Sequence, residues 1–164
     1  MRNYGEIYTI RAPRFIPSKA CEAIMTVEGT IDLWHVPPTA SLTSCKAVHE
    51  IAVYFRTEFR YDFAGYSLEH SEPRDSAFLL THTSDNVTNY AVGAVFFDWV
   101  QGKNYPPCHV LEWVWLHPFL RRRGHLSKIW PYFTQRFGSF HVSHPRSYAM
   151  EKMLEKVGYA EVFA

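Results

Sequence analysis

Apolar residues along this chain repeat with two different periods, and the periods assign its elements. From Cys45 to Phe59, Ala47, Val48, Ile51, Ala52, Phe55 and Phe59 recur at helical spacing, with Ser44 standing where an N-cap belongs. Alternation predicts strands over Tyr4–Arg11, Ala20–Val27 and Thr30–Val36, the last two flanking Glu28-Gly29 as a hairpin turn before Pro37-Pro38. After the loop Ser71–Asp75, Ala77–Thr83 and Asn89–Val100 read as two strands around Ser84-Asp85-Asn86. The break Gly102–Pro107 precedes a further strand, His109–Leu116. A helix then runs from Leu126 to Phe137, with Leu126, Ile129, Trp130, Phe133 and Phe137 on one face. Pro131 removes one backbone donor from it and predicts a kink in its first two turns. Phe140–Ser143 reads as a short strand and Ser147–Val157 as a helix with Ala149, Met150, Met153, Leu154 and Val157 inward. Gly158 ends that helix, and Tyr159–Phe163 reads as a closing strand.

Composition narrows the picture. A chain of 164 residues with 47% hydrophobic content can build one core without disulfide or metal staples. Lys and Arg number 17 against 16 Asp and Glu, a net charge of +1 that argues against dominant electrostatic binding to nucleic acid or a membrane surface. The three cysteines, Cys21, Cys45 and Cys108, are too few and too scattered for a disulfide framework. They form no Cys-x-x-Cys pair for zinc, and His141-x-x-His144 would point its rings to opposite strand faces, so no metal site is expected. The N-terminus lacks an apolar signal core and no apolar run is long enough for a bilayer, so the expected compartment is the cytoplasm. Aromatics reach 16% and are spread along the chain, which suits an aromatic core; a pocket lined by Trp34, Tyr54, Phe55, Tyr61, Phe63 and Tyr66 is the other reading.

The segment between the strand and the helix carries the chemistry. It reads Leu116-His117-Pro118-Phe119-Leu120-Arg121-Arg122-Arg123-Gly124-His125-Leu126. A basic, Gly-containing turn between a strand and a helix N-terminus presents backbone N–H groups and the positive end of the helix dipole to a pyrophosphate. The run resembles the acetyl-CoA motif of the Gcn5-related N-acetyltransferases, apolar-x-Pro-x-x-Arg/Gln-x-x-Gly-x-Gly/Ala, through Leu116, Pro118, Arg121 and Gly124; Leu126 stands where the family has Gly or Ala. The order strand, strand, strand, helix, strand, helix, strand over Ala77–Phe163 is similar to that family's core, and Glu155-Lys156-Val157-Gly158-Tyr159 resembles its frequent ending. Lys46–Phe59, the Arg-rich turn and Ser143-His144-Pro145 also resemble the cohesin-acetylating subgroup, without its zinc-finger Cys/His set.

The resemblance implies an α+β (α/β) fold of the acyl-CoA N-acyltransferase type, with a mixed, mostly antiparallel central sheet flanked by helices. It implies one domain over 1–164, with 76–164 as the acetyl-CoA core and the divergent 1–75 on the acceptor side. It implies acetyl-CoA as co-substrate, an amine-bearing small molecule or protein as acceptor, direct acetyl transfer, and a homodimer. Trp115, Leu116, Arg121, Arg122, Arg123, Gly124, His125, Leu126 and Ser147 become the cofactor-binding candidates. Glu112, the one acid in the strand before the turn, is the candidate general base; pairing with an Arg across the sheet is the structural alternative. His109 and His117 bracket the same strand as further candidates. The family's acid, a Tyr in the last helix, falls on Leu154, which has no proton to give; Tyr148, Ser143 and His144 are the substitutes, though structural roles suit each of them.

Two other functions fit parts of the pattern. A protein that binds acyl-CoA with weak or no catalysis would tolerate Leu154 and Leu126. A nucleic-acid-binding module would use the Arg-rich turn, although balanced charge opposes it.

Overall fold

Extended segments and helices sort in the protein by the same two periods. The computed structural model describes residues 10–61, 65–69, 72–84, 87–104 and 106–162. Its strands are β1 (Arg14–Phe15), β2 (Glu22–Glu28), β3 (Ile31–Val36), β4 (Ser76–Ser84), β5 (Thr88–Val100), β6 (Cys108–Leu116) and β7 (His141–Val142). Its α-helices are α1 (Leu42–Phe59), α2 (His125–Phe137) and α3 (Tyr148–Val157). The strands make one sheet in the order β2-β3-β4-β5-β6-β7, and β1 pairs with the part of β5 that β6 does not reach. All neighbours are antiparallel except β6 and β7, which are parallel and joined through α2. This is the mixed, mostly antiparallel sheet with flanking helices that the sequence predicts.

Alternation sends successive side chains to opposite faces of the sheet. On one face Ala77, Leu79, Ala94, Phe96, Trp113 and Trp115 pack with Val48, Ile51 and Ala52 of α1. On the other, Phe78, Leu80, Val95, Phe97 and Leu111 pack with Ile129, Trp130 and Phe133 of α2 and Leu154 of α3. Phe133 lies 5.0 Å from both Phe78 and Phe97, ring centre to ring centre, and is fully buried. Emptying such a site costs about 3–5 kcal/mol, so α2 is held by its apolar stripe. The helix continues unbroken through Pro131.

Element ends differ from the sequence reading for local reasons. Ser41, not Ser44, caps α1, accepting from the Ser44 N–H at 3.2 Å. Ser44 is buried, donates to the Ile16 carbonyl at 2.8 Å and accepts from the Ser18 N–H at 3.1 Å, fastening the segment after β1 to the helix. The closing strand is absent from 159–162: the Tyr159 hydroxyl instead accepts the Val142 N–H at 3.0 Å. Phe163 lies outside the described residues, as do 4–9 of the predicted first strand, Asp85-Asn86 of the β4–β5 turn, and Phe63. Ile10 and Arg11 have no regular structure. No helix among the described residues is long and apolar enough to cross a membrane.

Candidate functional site

The register of β6 creates the site. Phe96 faces Trp113 while Phe97 faces Leu111, so Glu112 is an extra residue on β6, a β-bulge. A strict two-residue period would place Glu112 with Val114 and Leu116. The bulge breaks that period: Val114 and Leu116 pack toward α2, whereas Glu112 meets Asp98 and Asp75 beside the Trp113 face. On its other edge β6 holds β7 only as far as Leu111, whose carbonyl accepts the Ser143 N–H at 2.9 Å. Beyond that rung, Glu112–Leu116 and the Ser143–Ser147 segment diverge.

A cavity of about 230 Å³ fills the divergence. Glu112, Ser143, Arg146, Ser147 and Met150 line it, with Phe55, Phe59, Tyr61 and Trp113 along the α1 side. Burial raises the Glu112 carboxyl above the ordinary range, while hydrogen bonds from Ser143 and Asp98 favour its charged form. Asp98 is pushed up to about 7 by burial, by the charges of Asp75 and Glu112, and by hydrogen bonds to both. Both carboxyls are thus raised, Asp98 the further by its two acidic neighbours, and the pair favours holding one proton between them. Asp75 is anchored in turn by the Trp99 N–H at 2.9 Å. An ionised, half-buried carboxylate facing a cavity can take a proton from a bound amine.

The basic turn stands at the same edge. Because β6 and β7 are parallel, α2 and α3 both start beyond the C-terminal ends of that pair. Gly124 is the N-cap of α2 at φ 77°, and no side chain caps its first turn. The amides of His125, Leu126 and Ser127 thus lack intrahelical acceptors. A Cβ on Gly124 would meet nothing within 4 Å beyond its chain neighbours, so the space beside the glycine is open. Arg122, at φ 64°, and Arg123 are exposed there. Such a turn fits a pyrophosphate.

No family model matches the sequence, and no curated protein matches it. Solved structures do resemble it. The xEco2 acetyltransferase domain, bound to a CoA conjugate, superposes with a TM-score of 0.58 at 11% identity, over 81% of this chain and 90% of that one. A ribosomal-protein-alanine N-acetyltransferase from Brucella melitensis biovar Abortus 2308 gives 0.54 at 14% identity, over 82% and 95%. The chain has the fold of the Gcn5-related N-acetyltransferases. An aminoglycoside acetyltransferase from an uncultured soil metagenomic sample, in complex with trehalose, gives 0.53 at 12% identity, over 82% and 92%.

Within this acetyltransferase fold the residues singled out from sequence take distinct places. Glu112, Ser143 and Ser147 come together on the cavity. Ser147 also caps α3, accepting from the Met150 N–H at 3.1 Å. Arg121, expected at the phosphates, is engaged elsewhere: Nη1 and Nη2 donate to Glu58 at 2.9 and 2.7 Å, and Nε donates to the Leu116 carbonyl at 2.8 Å. Trp115 is buried and donates to the same Glu58 at 3.2 Å. The His125 ring is buried against β2, with Nδ1 3.6 Å from Glu28. Leu126 packs toward the α2 core, away from the turn's open side. Tyr148 is 78% exposed and absent from the cavity wall. His109 meets the Arg74 carbonyl and the Phe137 ring, and His117 caps the Pro118–Leu120 turn. Leu154 is a core residue. Among the described residues no His, Cys, Asp and Glu group could hold a metal ion.

Asp98 and Asp75 escaped the sequence reading. Asp98 had a signal: it is the one acid inside the apolar run Ala91–Val100. Its partner could not be named without the β5–β6 register.

Proposed function

We propose that this protein transfers the acetyl group of acetyl-CoA to a primary amine by direct attack of the amine nitrogen on the thioester. The observation that carries the reading is the place of Glu112: a half-buried carboxyl, set by a bulge on the wall of the cavity where β6 and β7 part. The uncapped turn at Gly124, on the same edge, fits the pyrophosphate of the co-substrate. Bound there, acetyl-CoA supplies an activated acetyl thioester.

In this reading Glu112 takes the proton from the acceptor ammonium, directly or through water. The backbone edge of Glu112–Trp115, which β7 does not reach, aligns the pantetheine arm. As the new N–C bond forms and the C–S bond breaks, the thiolate takes up one proton. Ser143, hydrogen-bonded to Glu112, is placed to relay to the thiolate the proton that Glu112 has taken from the amine; Tyr148 faces solvent. Residues 76–164 then hold the co-substrate, and α1 in residues 1–75 supplies the acceptor side. The three free cysteines suit a reducing compartment such as the cytoplasm. A binder of acyl-CoA with slow or no transfer is the second reading, favoured by Leu154 at the family's acid position.

Calorimetric titration with acetyl-CoA, with adenosine diphosphate as control, tests the first step. One-site binding is expected, and its absence would sink the reading. Thiol release from acetyl-CoA with an amine panel then separates transfer from mere binding.

A further inference from the structure

The α1 side of the cavity is a row of stacked rings. Trp113, next in sequence to Glu112, is only 5% exposed. Phe55 stacks on it at 5.5 Å, and Tyr61 stacks on Phe55 at 5.3 Å with planes 21° apart. Phe59 packs on Phe55 at 5.0 Å. The row ends in water: Phe59 is 43% and Tyr61 37% exposed. Core packing accounts for Trp113 and Phe55 but leaves the outer two rings partly bare. Together the four lead from solvent to the neighbour of the carboxylate.

The charge on this wall is spare. Among the described residues lining the cavity, Glu112 and Arg146 are the charged ones. Arg146 is already committed: its guanidinium pairs with Glu161 and donates to the Val142 carbonyl at 2.8 Å. One ligand ammonium finds Glu112 and the π faces of the rings. A second would be desolvated beside Arg146 with no free counter-charge. The volume, about 230 Å³, must also admit the thioester end, which leaves room for a small body only.

We infer that the acceptor is a small primary amine with a single aromatic or apolar body, which lies against Phe55, Phe59, Tyr61 and Trp113 with its nitrogen at Glu112. This rests on the acetyl-transfer reading and adds the substrate class to it. It separates this site from one built for a polycationic sugar or polyamine.

The test is thiol release from acetyl-CoA with 2-phenylethylamine, hexylamine, ethylamine, spermidine, kanamycin and a lysine-bearing peptide as acceptors. We expect kcat/KM for 2-phenylethylamine and hexylamine to exceed that for the other four by about tenfold or more. Phe59→Ala and Tyr61→Ala should each raise KM for 2-phenylethylamine about three- to tenfold more than KM for ethylamine, the worth of one ring contact. Spermidine, kanamycin or the peptide turned over best would overturn the acceptor class, as would equal KM changes for both amines in both variants. So would acetyl-CoA binding by calorimetry with no acceptor turned over. Absence of acetyl-CoA binding would instead remove the transferase reading together with this one.

Discussion

Gly124→Leu should damage binding far more than folding. Gly124 caps α2 at φ 77°, and a Cβ there would meet nothing within 4 Å beyond its chain neighbours. The folding cost is then limited to holding an L-residue in the left-handed region, about 1–2 kcal/mol. For a domain of this size that lowers the melting temperature by roughly 2–8 °C. In the phosphate-turn reading, the leucine would also occupy the open space from which a ligand reaches the first-turn amides of His125, Leu126 and Ser127. A hydrogen bond to a charged group is worth about 1.5–3 kcal/mol, so losing two raises the acetyl-CoA Kd on the order of a hundredfold to ten-thousandfold. Gly93→Ala is the opposite control. Its Cβ would fall 2.8 Å from Leu116 Cδ2 and 3.0 Å from the Trp115 carbonyl, so overpacking should cost about 1–3 kcal/mol of stability. Scanning calorimetry reads the folding term and isothermal titration the binding term. A Gly124→Leu protein that melts a few degrees lower yet binds acetyl-CoA with unchanged Kd would refute the phosphate-turn argument.

The remaining predictions concern charge. Glu112→Gln should lower kcat by about 10²–10⁴ while changing acetyl-CoA affinity little; wild-type turnover across pH would remove Glu112 as base. The Asp98 carboxyl, at about 7 against an ordinary 3.8, holds its proton more tightly in the folded chain than in the unfolded one. That stabilisation is full below the ordinary 3.8 and is lost progressively as pH rises to about 7, above which both states have released the proton. The melting temperature should therefore carry a falling contribution between about pH 4 and 7 that levels off above it, and Asp98→Asn should remove that contribution; parallel slopes over this range would contradict the assignment. Arg121→Ala should cost about 1–3 kcal/mol of stability, because it strands Glu58 and the Leu116 carbonyl, whereas Arg122→Ala and Arg123→Ala should weaken acetyl-CoA binding with little change in melting. Arg121→Ala melting like the wild type but losing acetyl-CoA would return Arg121 to the phosphate.

Legibility in the sequence followed the length of each pattern. The apolar stripes of α1, α2 and α3, and the alternation of β4 to β6, are long enough to place those elements within a few residues. β1 is two residues and has no period to read; it exists because β5 outruns β6 and offers Tyr90 and Asn89 as partners. Ser41 and Ser44 both suit a helix cap, and the choice was made by Ile16, a residue 28 positions away from Ser44. The Arg121–Glu58 pair spans 63 positions, so a basic cluster that reads as uniform divides into one structural arginine and two exposed ones. Glu112 was legible as the acid in the strand that borders the cavity, but its direction depended on a bulge that no pairwise spacing announces.

That bulge makes the aim of Glu112 a matter of counting. One surplus residue on β6, opposite the consecutive Phe96 and Phe97 of β5, turns the carboxylate toward Asp98 and the cavity while Trp113 to Leu116 keep their places. Deleting a single residue between Val110 and Trp113 would restore regular pairing and could even make the sheet easier to form. It would also leave no position from which a carboxylate reaches the opening. Single-residue deletions along β6 should thus divide sharply, with the harm set by which side of the surplus residue they fall on and not by how conservative the lost side chain was. For an engineer this strand accepts substitutions as ordinary chemistry but reads insertions and deletions as shifts of frame.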